Sequence, residues 1–284
     1  MKVQQKLSVM CHVVNHSIQR VTTAALTLCI AIITCSTAFS APSAQINIPS
    51  TDAKGLGEVA IAVTNYAKFS SKPDTGTNLF SAGVETGVLP FEKVKLEIGA
   101  DYNTSGTSSA ADDHPIYFNA KLATAEDLFF SGMPAVAVGA YNLGSYDKPE
   151  RQPDGLSTRQ NVSYALLAKT LPVIGRLSVG SYYGSARALA VGSNQSHNNS
   201  GVMASWDRII SEVSDKLWLG MDYMSGNNAN GEISFGGSWS FTKQVTLLVG
   251  VVVYNPFYTV SQADNGLLSG GKPALTTQLT INLP

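Results

Sequence analysis

Hydrophobic and polar residues alternate along most of the chain after about residue 55. Two neighbouring stretches, 231–241 and 245–253, show the pattern plainly. Apolar side chains fall on one parity in the first stretch, and after a short break they resume on one parity in the second: Ile233, Phe235, Trp239 and Phe241, then Val245, Leu247, Val249, Val251 and Val253. A period of two predicts β-strands rather than helices, so these stretches indicate two strands joined by a short turn.

The same pattern predicts about twelve strands of roughly ten residues each, close to the 9–11 residues or so that a transmembrane strand needs. They are 57–67, 78–89, 93–102, 115–123, 134–142, 159–170, 175–184, 200–209, 216–225, 231–241, 244–254 and 273–283. Short connections alternate with longer, polar ones, apart from the compact stretch 226–230. An even strand number with short turns at one end and long loops at the other is typical of outer-membrane barrels.

The alternation leaves open which face meets an apolar phase. Along 94–98, Val94, Leu96 and Ile98 oppose Lys95 and Glu97. An outward apolar face is favoured because side chains do not easily fill a twelve-stranded barrel and because the polar face is rich in Gly and Ser. In addition, only helices and closed barrels cross lipid. We therefore expect an all-β, closed antiparallel transmembrane barrel, and a soluble periplasmic β-sandwich stays as the alternative.

Tyrosines recur near one end of six predicted strands. Three share the parity of the apolar face and, with two further aromatic residues, predict a girdle at the boundary of lipid and water: Tyr102, Tyr183, Tyr223, Trp239 and Phe241. The other three, Tyr66, Tyr141 and Tyr254, have the opposite parity. They indicate either the rim of the lumen or a β-bulge.

The first 40 residues predict a secretory signal peptide, with Lys2, Lys6 and Arg20 before an apolar run and Ala38-Phe39-Ser40 before the cut. A transmembrane anchor and a lipoprotein cleaved before Cys35 are the alternatives. Residues 41–54 are then expected to form a short periplasmic segment and 55–284 the barrel. The chain is thereby expected in the outer membrane of a Gram-negative bacterium.

From about Gly55 to Leu283 the chain resembles the bacterial outer-membrane β-barrel proteins, of a small porin-like or uncharacterised group. Its last strand places Leu275, Thr277, Leu279, Ile281 and Leu283 on one parity. This is similar to the strand that the family's assembly machinery recognises, although Leu283-Pro284 stands where an aromatic residue is common. The resemblance implies outer-membrane lipid and that machinery as partners, and it carries no catalytic motif.

Charged residues on the polar parity are the candidates for function, because charged side chains in a lumen set selectivity. Two readings stay open, a polar constriction that selects solutes and a salt-bridged plug that holds the shape of the barrel. The candidates are Glu58, Glu85, Lys95, Glu97, Asp101, Lys121, Lys169, Arg176, Asp207, Asp222 and Glu232.

Composition excludes several classes of function. All three cysteines lie in the leader, so a cysteine-based metal site in the mature chain is excluded, and no basic patch indicates nucleic acid. No cofactor or metal is expected. His114 and His197 fall in predicted loops without a neighbouring serine at a fixed offset, which disfavours a hydrolase. The leading hypothesis is a non-enzymatic passive channel for small hydrophilic solutes; a closed scaffold with binding loops is second, and an outer-membrane hydrolase third.

Overall fold

The computed structural model describes residues 43–69, 78–105, 109–110, 115–144, 159–186, 189, 198–257 and 272–283. These residues form thirteen β-strands. They are β1 (Val59–Lys68), β2 (Leu79–Gly87), β3 (Val94–Ser105), β4 (Ser109–Ala110), β5 (Ile116–Thr124), β6 (Ala135–Leu143), β7 (Val162–Leu171), β8 (Gly175–Tyr183), β9 (Ser200–Ile209), β10 (Leu217–Met224), β11 (Glu232–Ser240), β12 (Val245–Tyr254) and β13 (Ala274–Leu283). All twelve predicted strands are present, and their ends agree with the prediction to within three residues.

The strands pair in one antiparallel sheet that closes on itself. Sequence neighbours pair throughout the sheet, β3 pairs with β5, and β1 lies beside β13. The two-residue strand β4 only extends the end of β3 and takes no place in the ring. Twelve strands therefore form a closed antiparallel barrel, which confirms the predicted fold class.

The apolar parity faces outward around the ring. Ile98, Leu122, Val179, Phe235 and Val249 are exposed on the outer surface. Their strand neighbours on the other parity face the lumen, where Glu97, Lys121, Ser178, Ser234 and Leu248 are buried. The apolar side chains of 231–241 and 245–253 thus lie on the outer surface of the barrel. The alternative of a soluble β-sandwich is wrong.

Short connections gather at one end of the barrel, as predicted. Three of them span 172–174, 210–216 and 241–244, whereas the β5–β6 connection, 125–134, is longer than expected. The connections at the opposite end fall largely outside the described residues. Within the described ranges, the structure holds no helix long and apolar enough to cross a membrane.

Residues 43–54, which we call the inner segment, lie inside the barrel, so the expectation of a short periplasmic segment is wrong. The segment folds back on itself: the amide of Gln45 donates to the carbonyl of Ile48 (2.8 Å), and that of Ser50 to Ser43 (3.1 Å). Ile48 and Ser50 have no exposed surface. Polar side chains on the inner wall of the barrel form hydrogen bonds with this segment, some as donors and some as acceptors, and these contacts keep it in the lumen.

Candidate functional site in the lumen

The tip of the inner segment, residues 46–48, is bound by a single carboxylate. Strand β10 alternates so that Asp222 points inward, where it is 1% exposed. Three consecutive backbone amides, those of Ile46, Asn47 and Ile48, donate to its Oδ2 atom at 2.9, 2.7 and 3.1 Å. Amides that converge on an ionised oxygen make charge-assisted hydrogen bonds, which are about twice as strong as neutral ones. Asp222 is therefore the strongest single anchor of the tip.

Side chains of the tip make further hydrogen bonds to the wall. The amide group of Asn47 donates to Ser234 Oγ (2.9 Å) and accepts from the Tyr66 hydroxyl (2.8 Å). Gln278 Nε2 donates to the carbonyl of Ile46 at 2.7 Å. Strands β1, β11 and β13 thus contact the tip from three positions along the ring, and these contacts fix its orientation.

A buried ion pair holds the two ends of the inner segment. Lys121 Nζ lies 3.2 Å from Glu97 Oε1 and donates to the carbonyl of Ser43 at 2.7 Å. Glu97 Oε2 accepts from Ser43 Oγ (2.7 Å) and from the amide of Lys54 (2.9 Å). Strands β3 and β5 place Glu97 and Lys121 directly opposite each other. The pairing of these two strands therefore brings the two charges together without any contribution from the inner segment.

A second charged cluster lies on β8 and β9. Arg176 bridges two carboxylates, Asp52 of the inner segment (NH1–Oδ2 2.5 Å) and Asp207 of the wall (Nε–Oδ1 2.9 Å). Asp207 also accepts from Gln45 Nε2 at 2.9 Å and from Trp218 Nε1 at 3.1 Å. Each buried charge in this cluster has a partner, as burial in a lumen requires.

Apolar side chains pack around the two isoleucines of the tip. Ile46 packs with Trp218 and Leu248. Ile48 lies in a larger cluster that includes Leu166 and Met203. On β6 to β12 the lumen is therefore filled like a protein core rather than hydrated.

The opposite side of the lumen is more open. We call the partly exposed inward side chains of β1, β2, β3 and β5 the accessible wall. Asp101 lies flat against Gly83, where a Cβ atom would come within 2.1 Å of Asp101 Oδ1. Asn119 Nδ2 donates to Asp101 Oδ2 at 2.9 Å and lies over Gly99 in the same way. Glycine at these two positions leaves room for polar side chains along the wall.

Ten of the eleven predicted lumen charges have the inward parity. Six of them contact the inner segment: Glu97, Lys121, Arg176, Asp207 and Asp222 by the contacts given above, and Glu232, which is buried beside Tyr254, by a hydrogen bond with the Asn47 side chain. Of the remaining four, Glu85, Lys95 and Asp101 belong to the accessible wall, and Glu58 Oε2 accepts from the Gly55 amide at 2.6 Å.

Lys169 is the exception, and its assignment to the lumen is wrong. It has the outward parity of β7, opposite the exposed Leu177, and its Nζ atom lies 2.8 Å from Glu126 and 3.1 Å from Asp127. A backbone hydrogen bond from Gly132, with the contact from Lys169, holds the pKa of Asp127 below its usual value. Strand β7 is apolar on both faces, so its parity could not be assigned from sequence.

The five predicted girdle residues all face outward. Tyr102, Tyr183 and Tyr223 lie toward the long-loop end and Trp239 and Phe241 at the short-turn end, although contact with lipid stays a prediction. The three remaining tyrosines have the inward parity, as expected for the rim of the lumen: Tyr66, Tyr141 and Tyr254.

Sequence reasoning missed the inner segment itself. Gln45, Asn47 and Asp52 carry no motif, and only the pair of isoleucines in a polar stretch hinted at burial. His114 and His197 lie outside the described residues. Among the residues that are described, no group of three or more His, Cys, Asp or Glu side chains could hold a metal ion.

No protein-family model matches the chain, and no curated protein matches it significantly. Solved structures are similar in fold. An outer-membrane channel from Pseudomonas putida F1 is 12% identical with a TM-score of 0.46, covering 86% of this chain and 99% of that one. The KdgM porin in complex with disordered oligogalacturonate is 5% identical, with a TM-score of 0.42 and coverage of 79% and 98%.

Outer membrane phospholipase A from Escherichia coli is 14% identical with a TM-score of 0.38, covering 79% of this chain and 90% of that one. At these identities the likeness concerns the fold alone. The closed antiparallel barrel that the resemblance implied is confirmed by the strand pairing described above.

Proposed function

We propose that this chain is a passive channel in a bacterial outer membrane, through which small hydrophilic solutes diffuse along the accessible wall. The support is the asymmetry of the lumen. On β6 to β12 apolar side chains pack around the inner segment. On β1, β2, β3 and β5, Tyr66, Glu97 and Lys121 contact the segment, but the other strand positions present partly exposed polar groups. A solute that passes the barrel therefore meets these groups, and their charges decide which solutes pass most readily.

The accessible wall, together with Glu58 directly before β1, carries a small excess of acid. The partly exposed charges are three carboxylates, on Glu58, Glu85 and Asp101, and two ammonium groups, on Lys68 and Lys95. We propose a weak preference for cations on this basis. The outer-membrane location is proposed on the outward apolar face and agrees with the names of the similar channel and porin structures.

Single-channel conductance of the refolded mature protein in a planar bilayer tests the proposal. We expect small, defined steps with a cation preference, and a shift of the reversal potential toward anions in the double variant Glu85→Gln, Asp101→Asn. A matched control is Glu92→Gln, an exposed carboxylate in a short turn. A folded, inserted barrel that gives no steps would refute the channel.

The packed side of the lumen favours a second candidate, a closed scaffold whose long loops bind a partner at the cell surface. It predicts no conductance and loss of binding when loop 143–158 is trimmed. The similarity to a phospholipase motivates one further check, hydrolysis of phospholipid by the refolded protein. If activity is detected and survives replacement of His114 and His197, a His-based mechanism is excluded.

A further inference from the structure

We propose that residues 43–52 are a removable plug, and that Asp222 is the positioning residue that holds the plug in the lumen. The channel would then have a narrow state with the plug bound and a wider state with the plug displaced. This inference rests on the proposed channel function, but the position of the plug can be measured independently of any conductance.

The plug can leave without disturbing the barrel. The hydrogen bonds described above between the segment and the wall all involve side chains of the wall, and the bridge between Ala44 and Pro49 joins the segment to itself. No strand pair of the ring includes residues 43–54. Loss of the plug therefore removes contacts inside the lumen and leaves the ladder of backbone hydrogen bonds around the ring intact.

The segment enters the lumen at a hinge beside Gly87. Leu56 forms a parallel bridge with Gly87, and the amide of Gly57 donates to the Gly87 carbonyl at 3.2 Å. A Cβ atom at Gly87 would lie 2.1 Å from the carbonyl oxygen of Gly55, a backbone atom that cannot move without moving the segment. Gly57 has a φ of +80°, in the left-handed region that glycine adopts without strain. Two features, the space at Gly87 and the flexible Gly57, thus let the chain turn inward here.

Asp222 is the contact on which the bound state most depends. Its Oδ2 atom accepts hydrogen bonds from three backbone amides, and these bonds would lose their charge assistance if the carboxyl group were neutral. The amide of asparagine has nearly the same shape but carries no charge, and one of its two polar atoms is a donor. Asp222→Asn therefore weakens the anchor while it keeps the volume of the side chain.

Displacement also changes the charge of the lumen. Glu97, Asp207 and Asp222 are covered by the plug, and its departure opens them to water. Since Lys121 and Arg176 remain beside the first two, the net change on the wall is toward acid. The wide state is therefore expected to prefer cations more strongly than the narrow state.

Cysteine labelling reads the position of the plug directly. All three cysteines precede the predicted mature chain, so Ser50→Cys creates a single thiol at a position with no exposed surface. We expect slow reaction with a charged, water-soluble maleimide in the refolded barrel. Asp222→Asn in the same background is expected to accelerate labelling by about tenfold or more, since it weakens charge-assisted hydrogen bonds. The control Glu92→Gln removes an exposed carboxylate in a short turn, outside the lumen, and its labelling rate stays that of Ser50→Cys alone.

Gly87→Val tests the same idea by a different route, because it blocks the entry of the segment instead of its anchor. It keeps the inference testable if Asp222→Asn does not refold. Fast labelling in either variant, with larger conductance steps than wild type, supports the plug.

Labelling that stays slow in every folded variant refutes the plug. The plug is also refuted if the wild-type protein conducts and a variant labels fast but has conductance steps of the same size as the wild type. If labelling accelerates but neither wild type nor variants conduct, the plug is removable and the channel function is what fails. The two proposals therefore have separate outcomes.

Discussion

Replacing Lys121 with methionine removes one member of a buried ion pair while keeping a side chain of similar length. Lys121 and Glu97 are 5% and 3% exposed, and their charged atoms lie 3.2 Å apart. At an effective dielectric constant of about 20, two unit charges at this distance attract by about 5 kcal/mol. We expect Lys121→Met to lower the free energy of unfolding, because Glu97 is left buried with a charge and no counter-ion.

The size of the loss follows from what remains around Glu97. Breaking a buried pair by removing one partner typically costs about 3–5 kcal/mol. Glu97 keeps two donors, Ser43 Oγ and the amide of Lys54, so the lower end applies. We expect a loss of about 3 kcal/mol for Lys121→Met. In the double variant with Glu97→Gln, the orphaned charge is also removed, and about 2 kcal/mol of that loss is expected to return.

Reversible urea unfolding of the barrel in lipid vesicles, followed by tryptophan fluorescence, measures these differences. Lys216→Met is a matched control, since Lys216 is exposed in a short turn, and we expect it to change stability by less than about 0.5 kcal/mol. If Lys121→Met is as stable as this control, the pair is hydrated in solution. The assignment of Glu97 and Lys121 to a dry part of the lumen would then be wrong.

Three further predictions concern the accessible wall, one short turn and the outer surface of the barrel. Gly83→Ala pushes Asp101 off the accessible wall, so channel conductance is expected to fall in bilayer recordings; an unchanged step size contradicts the proposed path. Val173 is β-branched and has a φ of +69°, a strained backbone conformation for such a residue, so Val173→Gly is expected to raise the free energy of unfolding by about 1 kcal/mol. Urea unfolding that shows no gain in stability would mean that this strain is absent. Trp239, in a variant whose other two tryptophans are phenylalanine, is expected to be quenched by brominated lipid, and no quenching would place it outside the bilayer.

Alternation was sufficient to predict the strands and their faces because a strand repeats every two residues and the two faces of most strands differ in hydropathy. Strands β10, β11 and β12 show this best, with inward Asp222 and Ser234 and outward Phe235. The prediction failed at Lys169, where Leu166 and Leu167 put apolar side chains on both faces of β7. There the lumen itself is apolar, so the two faces do not differ in hydropathy.

The sequence by itself determined the closed barrel, the outward apolar face and most of the inward charges, because these depend on periodicity within single strands. Only the tertiary structure decided what the inward charges contact. Asp222 and the amides of 46–48 are about 175 residues apart in the chain. Nothing in the sequence around an inward carboxylate indicates which backbone amides will bind it. The position of the inner segment depends on hydrogen bonds from several strands at once, and these strands meet only when the ring closes.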